Sequence, residues 1–204
     1  MTSPKDAPAP RSKRTWLTPG VVGIGGASLL SDVGHEVPTS LLPGLVASLG
    51  APAAALGAIE GLANGAAGLA KLIGGPLADD PERRKSIAIG GYAATAVLSS
   101  LIGACTAVWQ IGVLRMGAWS ARGLRVPARN ALLADIVPPD VYGKAYGFER
   151  AMDNLGAIAG PLLALVLVGA IGVRNAIYLS VIPVLLAAVA IIFAIQRAPR
   201  IGPR

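Results

Sequence analysis

Apolar positions in this chain come in long runs, with polar positions gathered at their ends or set at regular intervals inside them. The runs predict six helices, at about 16–48, 53–77, 86–104, 109–136, 141–170 and 175–195. Each is about as long as the ~20 mostly apolar residues that cross a bilayer. Turn residues fill the gaps at Gly50-Ala51-Pro52, near Cys105 to Val108, at Pro138-Pro139-Asp140 and at Gly172-Val173-Arg174. Pro38 and Pro43 are expected to kink the first helix. The stretch 74–85, with Asp79, Asp80, Glu82, Arg83, Arg84 and Lys85, reads as a charged loop in water. The alternating strands of about ten residues that build a membrane β-barrel are absent from the pattern.

Composition agrees with this all-α integral membrane reading. Only 14% of the 204 residues are charged and mean hydropathy is +0.61, whereas a soluble domain carries about 25% charge. The net charge of +7 raises nucleic acid as a partner. The cations sit at the ends of apolar runs or inside them, without an interleaved aromatic surface, so the partner is instead the lipid bilayer. One cysteine and one histidine exclude an internal disulfide and a Cys/His metal cluster, and no cofactor is expected.

Charge placement sets direction. Lys5, Arg11, Lys13, Arg14, Arg83, Arg84, Lys85, Lys144, Arg197, Arg200 and Arg204 fall on one side, against Arg174 alone on the other. The positive-inside rule then puts both termini and the 74–85 loop in the cytoplasm; a seven-helix reading would strand one basic terminus outside. Cys105 is expected near the external face. The domains are a cytoplasmic tail at 1–15, read as disordered, a transmembrane domain at 16–196 and a basic tail at 197–204.

Six of the 18 cations remain inside helices. An intramembrane charge costs at least about 2.5 kcal/mol on the insertion scale, so it faces a partner or a cavity. Spacing shows which charges share a face. Asp32 and Glu36 are four apart, Glu60 and Asn64 four, Asn64 and Lys71 seven, Arg115, Arg122 and Arg129 seven each, and Glu149 and Asp153 four. Together they predict one polar interior. Pairing is expected between Asp32, Glu36, Glu60 and Lys71, Arg115, and between Asp135, Glu149, Asp153 and Arg122, Arg125, Arg129. Asp32, His35, Glu36, Glu60, Asn64, Lys71 and Arg115 are candidates for substrate binding or proton coupling, since they lie nearer mid-membrane. The ion-paired cytoplasmic set is equally suited to holding helices in register. Gly61 and Gly65, and Gly156 and Gly160, are spaced for close helix contact. Trp16 and Trp109 are placed at interfaces, and Trp119 deeper.

The spacing Gly75-x-x-x-Asp79-x-x-x-Arg83-Arg84-Lys85 resembles the loop signature of the major facilitator superfamily, with Asp80 and Glu82 standing where the family has a basic residue and a glycine. Gly156-Ala157-Ile158-Ala159-Gly160-Pro161 is similar to the fifth-helix motif of the family's antiporters. Arg115 stands where members often have a fourth-helix arginine. The run from Arg122 to Ala131 resembles one branch of bacterial permeases, with Asn130 in place of an aspartate. The resemblance covers about 17–196 and corresponds to the N-terminal six-helix half of a twelve-helix family. It implies a secondary transporter in a bacterial inner membrane, moving a small molecule with protons, by efflux, as a homodimer or with a second six-helix half. It also assigns gating roles to Gly75, Asp79, Arg83, Arg84, Arg122, Arg125, Arg129, Glu149 and Asp153. The alternative is a non-transporting half-size subunit, scaffold or remnant. An enzyme is not expected: the chain has no Gly-x-Ser-x-Gly elbow, no Cys/His pair and no P-loop.

Overall fold

The structure is a computed structural model and describes residues 16–197. The tails at 1–15 and 198–204 lie outside the described residues. The described residues are helical apart from short connections: α1 Pro19–Ser48, α2 Ala53–Asp79, α3 Pro81–Leu101, α4 Val108–Asp135, α5 Tyr142–Ile171, α6 Val173–Leu179 and α7 Val181–Arg197. The predicted sixth helix is thus two segments joined at Ser180. Four stretches are long and apolar enough to cross a membrane: Ala53–Asp79, Pro81–Ala104, Pro139–Ile171 and Val173–Gln196. The two long helices outside that set, α1 and α4, carry the Asp32–His35–Glu36 group and the arginine ladder.

Local chemistry explains the ends. Thr18 caps α1 by accepting from the Val21 N–H at 3.4 Å. The Gln110 side chain accepts from the N–H groups of Thr106 and Ala107 at 2.8 and 3.1 Å, closing the start of α4. Gly172, at φ +80°, supplies the left-handed turn between α5 and α6. Helix α1 runs through Pro38 and Pro43 without a break.

The charged stretch is not a loop. Residues 74–79 complete α2, Asp80 alone is non-helical, and α3 begins at Pro81. Asp80 makes so short a join possible: its carboxylate accepts from the Glu82 N–H at 3.0 Å, and Pro81 fills the first helical position, where no N–H is needed.

Packing follows an open arc: α2 on α4, α4 on α3, α3 on α7, α7 on α1, and α1 on α5. Glycines let the two tightest pairs approach. A Cβ at Gly123 of α4 would stand 2.5 Å from the Ala67 carbonyl of α2, and one at Gly156 of α5 would stand 2.5 Å from the Leu29 carbonyl of α1. Gly160 meets α1 in the same way at Glu36. Gly61 and Gly65, expected to pack, have no atom near them among the described residues; the α2 glycine in contact is Gly74, against Leu124. Apolar cores lie at both ends, one around Ile24, Tyr92, Leu133 and Ile191, the other around Leu42, Ile59, Ile111 and Ile177. Cys105 is buried in the second, and burial pushes its thiol pKa up although Arg174 opposes the shift. Trp109 is exposed, and Trp16 packs edge-on against Phe148 at 6.2 Å.

Candidate functional site

Helices α1 and α4 make little backbone contact; side chains fill the space between them. On α1, Ser28, Ser31, Asp32, His35 and Thr39 recur every three or four residues and form one polar stripe. On α4 the arginine ladder faces it.

At the end of this space nearer Pro52, Arg115 is fully buried. Its Nη2 lies 2.9 Å from Glu60 of α2 and donates to Thr39 Oγ1 at 3.0 Å. Its guanidinium stacks on Trp119, 3.6 Å from the ring centroid, and the Trp119 indole N–H donates to Asn64 at 3.1 Å. Next, His35 stands edge-on to Trp119 at 5.3 Å. Its Nδ1 is 3.3 Å from Asp32 and its Nε2 3.1 Å from Glu36. Arg122 reaches the same imidazole and also holds Asp32 at 3.1 Å. The side chains of Glu36 and Arg122 are each 25% exposed, and that of Glu60 31%. This half of the space is therefore open to exchange.

The other half is sealed. Arg125 donates to Ser31 at 2.5 Å and stacks on Tyr92 at 4.0 Å. It has no carboxylate partner among the described residues, and its Nε and Nη1 are unbonded. Arg129 holds Glu149 at 2.8 Å and Asp153 at 3.7 Å, and donates to Ser28, which itself donates to Glu149. Arg150 closes on Asp153 at 2.9 Å.

The structure thus brings together Asp32, His35, Glu36, Glu60, Asn64 and Arg115 with Arg122, and Arg125 and Arg129 with Glu149 and Asp153. Several expected pairings differ. Arg122 turns to α1, not to the acids of α5. Lys71, on the same stripe of α2 as Glu60 and Asn64, is exposed and has no side-chain partner among the described residues. Asp135, the last residue of α4, pairs instead with Arg84 in the first turn of α3, at 2.7 Å to both carboxylate oxygens. Arg84 also donates to the carbonyls of Ala78 and Asp79, tying the ends of α2, α3 and α4. Asp79 itself is exposed, Arg83 pairs with Asp80, and Gly75 stands in open space. Ser28, Ser31, Thr39 and Tyr92 were not anticipated; the period of the α1 stripe is the signal that finds the first three.

The sequence model of the Major Facilitator Superfamily matches residues 24–204. The chain belongs to the major facilitator superfamily. An uncharacterised protein of Mycobacterium tuberculosis is 34% identical over 147 residues, covering 72% of this chain and 36% of that protein. An uncharacterised MFS-type transporter of Methanocaldococcus jannaschii is 29% identical over 157 residues, 74% of this chain and 38% of the relative. Multidrug resistance protein MdtG of Serratia proteamaculans is 30% identical over 91 residues, 45% of this chain and 22% of that one. The chain spans less than two fifths of the length of these relatives. The superfamily is one of transporters, which fits an integral membrane protein with charges between its helices.

Proposed function

We propose that this chain is half of a proton-coupled secondary transporter that exports a small solute, with six spans and both termini in the cytoplasm. The observation that carries the reading is His35, held between Asp32, Glu36 and Arg122 where Glu36 still meets solvent. A proton arriving on Glu36 cancels the charge that His35 faces. Passed through the imidazole to Asp32, it cancels the charge that holds Arg122 to α1. Because α1 and α4 meet through these side chains more than through their backbones, loosening Arg122 loosens one side of the cavity against the other. Glu60, Asn64, Trp119 and Arg115 form the adjoining polar group and are assigned to the solute. Export is favoured by the fifth-helix Gly-Pro motif, and the relative named as a multidrug resistance protein agrees with it.

Alternating access needs a facing half, either a second copy or another six-helix segment. Lys71 supports a facing half of either kind. It is exposed beside Leu69, Leu72 and Ile73, and an unpaired lysine in a span costs about 2.5–3.5 kcal/mol. A facing half with a carboxylate at that depth would offset this cost.

The test uses proteoliposomes with a trapped pH dye, a pH gradient and a panel of small organic cations and anions. Solute-dependent proton flux is expected, with its pH profile flattened in His35→Gln and Glu36→Gln. A monomer that moves no protons with any solute, alone or mixed with a facing half, would leave the non-transporting subunit as the better description.

A further inference from the structure

The end of the bundle away from the 74–85 stretch carries a cavity of about 320 Å³ between the last turns of α1 and the α5–α6 turn. Leu45, Ser48, Ile171, Val173, Arg174 and Asn175 line it. Its one charged group is Arg174. The Nη1 of that guanidinium donates to the carbonyls of Gly103 and Cys105, both at 2.7 Å, which fixes the plane of the group. No carboxylate pairs with it among the described residues. Its Nε and Nη2 edge, with three N–H groups, has no protein partner there either. Ser48 donates to the Leu45 carbonyl and Asn175 to that of Ile171, and both side chains are neutral.

We propose that this cavity is a binding site for a phosphate group, held by the free edge of Arg174. A guanidinium edge presents two parallel N–H groups at the spacing of two phosphate oxygens, and such charge-assisted bidentate pairs are among the strongest polar contacts. The position suits the ligand. Pro139–Ile171 and Val173–Gln196 are both long and apolar enough to cross a membrane, so the turn joining them lies at a membrane surface. Leu45, Ile171 and Val173 give the cavity an apolar side along which the first carbons of a glycerolipid can lie. The phosphate comes either from a phospholipid headgroup or from free phosphate. The site is independent of the transport reading.

The experiment follows thermal unfolding of the purified full chain in detergent after lipid removal. It is titrated with a phosphatidylglycerol, with the diacylglycerol of the same acyl chains, and with inorganic phosphate. Phosphatidylglycerol is expected to raise the Tm by several degrees and diacylglycerol to leave it unchanged. A matching rise with inorganic phosphate would assign the site to the free ion. Arg174→Gln is expected to lose at least half of the shift. Gly44→Leu provides a second variant: Gly44 also lines the cavity, and no atom lies within 4 Å of where its Cβ would stand. The leucine can therefore be accommodated at the cavity wall without displacing the Arg174 carbonyl contacts, and it decides the matter if Arg174→Gln does not fold. Stabilisation by diacylglycerol equal to that by phosphatidylglycerol overturns the proposal. So does a shift undiminished in Gly44→Leu, or no shift with either phosphate compound.

Discussion

Arg115 and Arg122 share one face of α4 with Arg125 and Arg129, yet the two pairs live in different media. The first pair belongs to a group in which Glu60 and Glu36 stay partly exposed, at 31% and 25%, although Asp32 and His35 are buried. The second meets carboxylates sealed from water, Glu149 and Asp153, with Arg125 left to a serine and a tyrosine ring. The same residue type, at helical spacing on one helix, is thus split between exchange and anchorage. What divides them is the packing around them: α5 supplies the acids that enclose Arg129, while Arg122 of the first pair and the acids Glu36 and Glu60 keep part of their side chains exposed.

The sharpest way to break this contrast is Arg129→Ala. The Arg129 and Glu149 side chains are 5% and 4% exposed, and removing one member of a buried pair costs about 3–5 kcal/mol because the other is left charged. A large fall in Tm in detergent is expected, with most of it recovered when Glu149→Met accompanies Arg129→Met. A fall no larger than that of an exposed pair would show that the second half of the cavity is wet too.

Gly123 lies on α4 between the two pairs and holds the helix against α2. Gly123→Leu drives a side chain towards Ala67 O and Ala70 Cβ, at 2.5 and 2.8 Å from the Cβ position, and overpacking of this kind costs about 1–3 kcal/mol. Gly61→Ala on the open face of α2 is the control, expected to be neutral or to gain up to about 1 kcal/mol from helix propensity. Equal losses for the two would mean that the face of α2 bearing Gly61 is covered as well.

Much of this arrangement was legible in the sequence. The runs of apolar residues placed the helices to within a few residues, apart from the 74–85 stretch. Spacing collected the acids and arginines into one interior because a charge in a span has few places to go. Three matters were not legible. The 74–85 stretch looked like a loop because charge marks exposure, and an exposed helix end satisfies that mark equally well. The partner of each arginine depends on which helices adjoin, and periodicity within one helix carries no such information: Arg122 turned to α1, and Asp135 to Arg84. Lys71 lies by count within about 20° of both Glu60 and Asn64 on α2, but a stripe does not say which of its members a neighbouring helix reaches, and Lys71 is exposed with no side-chain partner among the described residues.

Glu60→Gln probes the open half by removing the charge of the partly exposed member of a pair whose arginine is buried. Arg115 keeps Thr39 and the Trp119 ring, and the glutamine carbonyl can still accept from it, so a loss of about 1–3 kcal/mol is expected, below that of the fully buried Arg129 pair. Solute-dependent flux should fall far more than stability. The reverse result, a large loss of Tm with flux intact, would place Glu60 with the anchoring set and remove it from the solute site.

Trp119→Phe carries the smallest stability change and tests what holds the open half in place. The indole N–H donates to Asn64, whose side chain is exposed and can turn to water, so the lost hydrogen bond costs no more than about 1 kcal/mol. Phenylalanine keeps a ring face under Arg115, although it attracts a cation less strongly than indole does. Trp16 and Trp109 remain, the latter 69% exposed. The variant's emission should therefore move to the red and be quenched more completely by acrylamide, with a near-native Tm. A collapse comparable to that of Arg129→Ala would mean that the ring, and not ion pairing open to water, holds Arg115, His35 and Arg122 in place. The two halves of the ladder would then differ in the material of their anchor rather than in whether they are anchored.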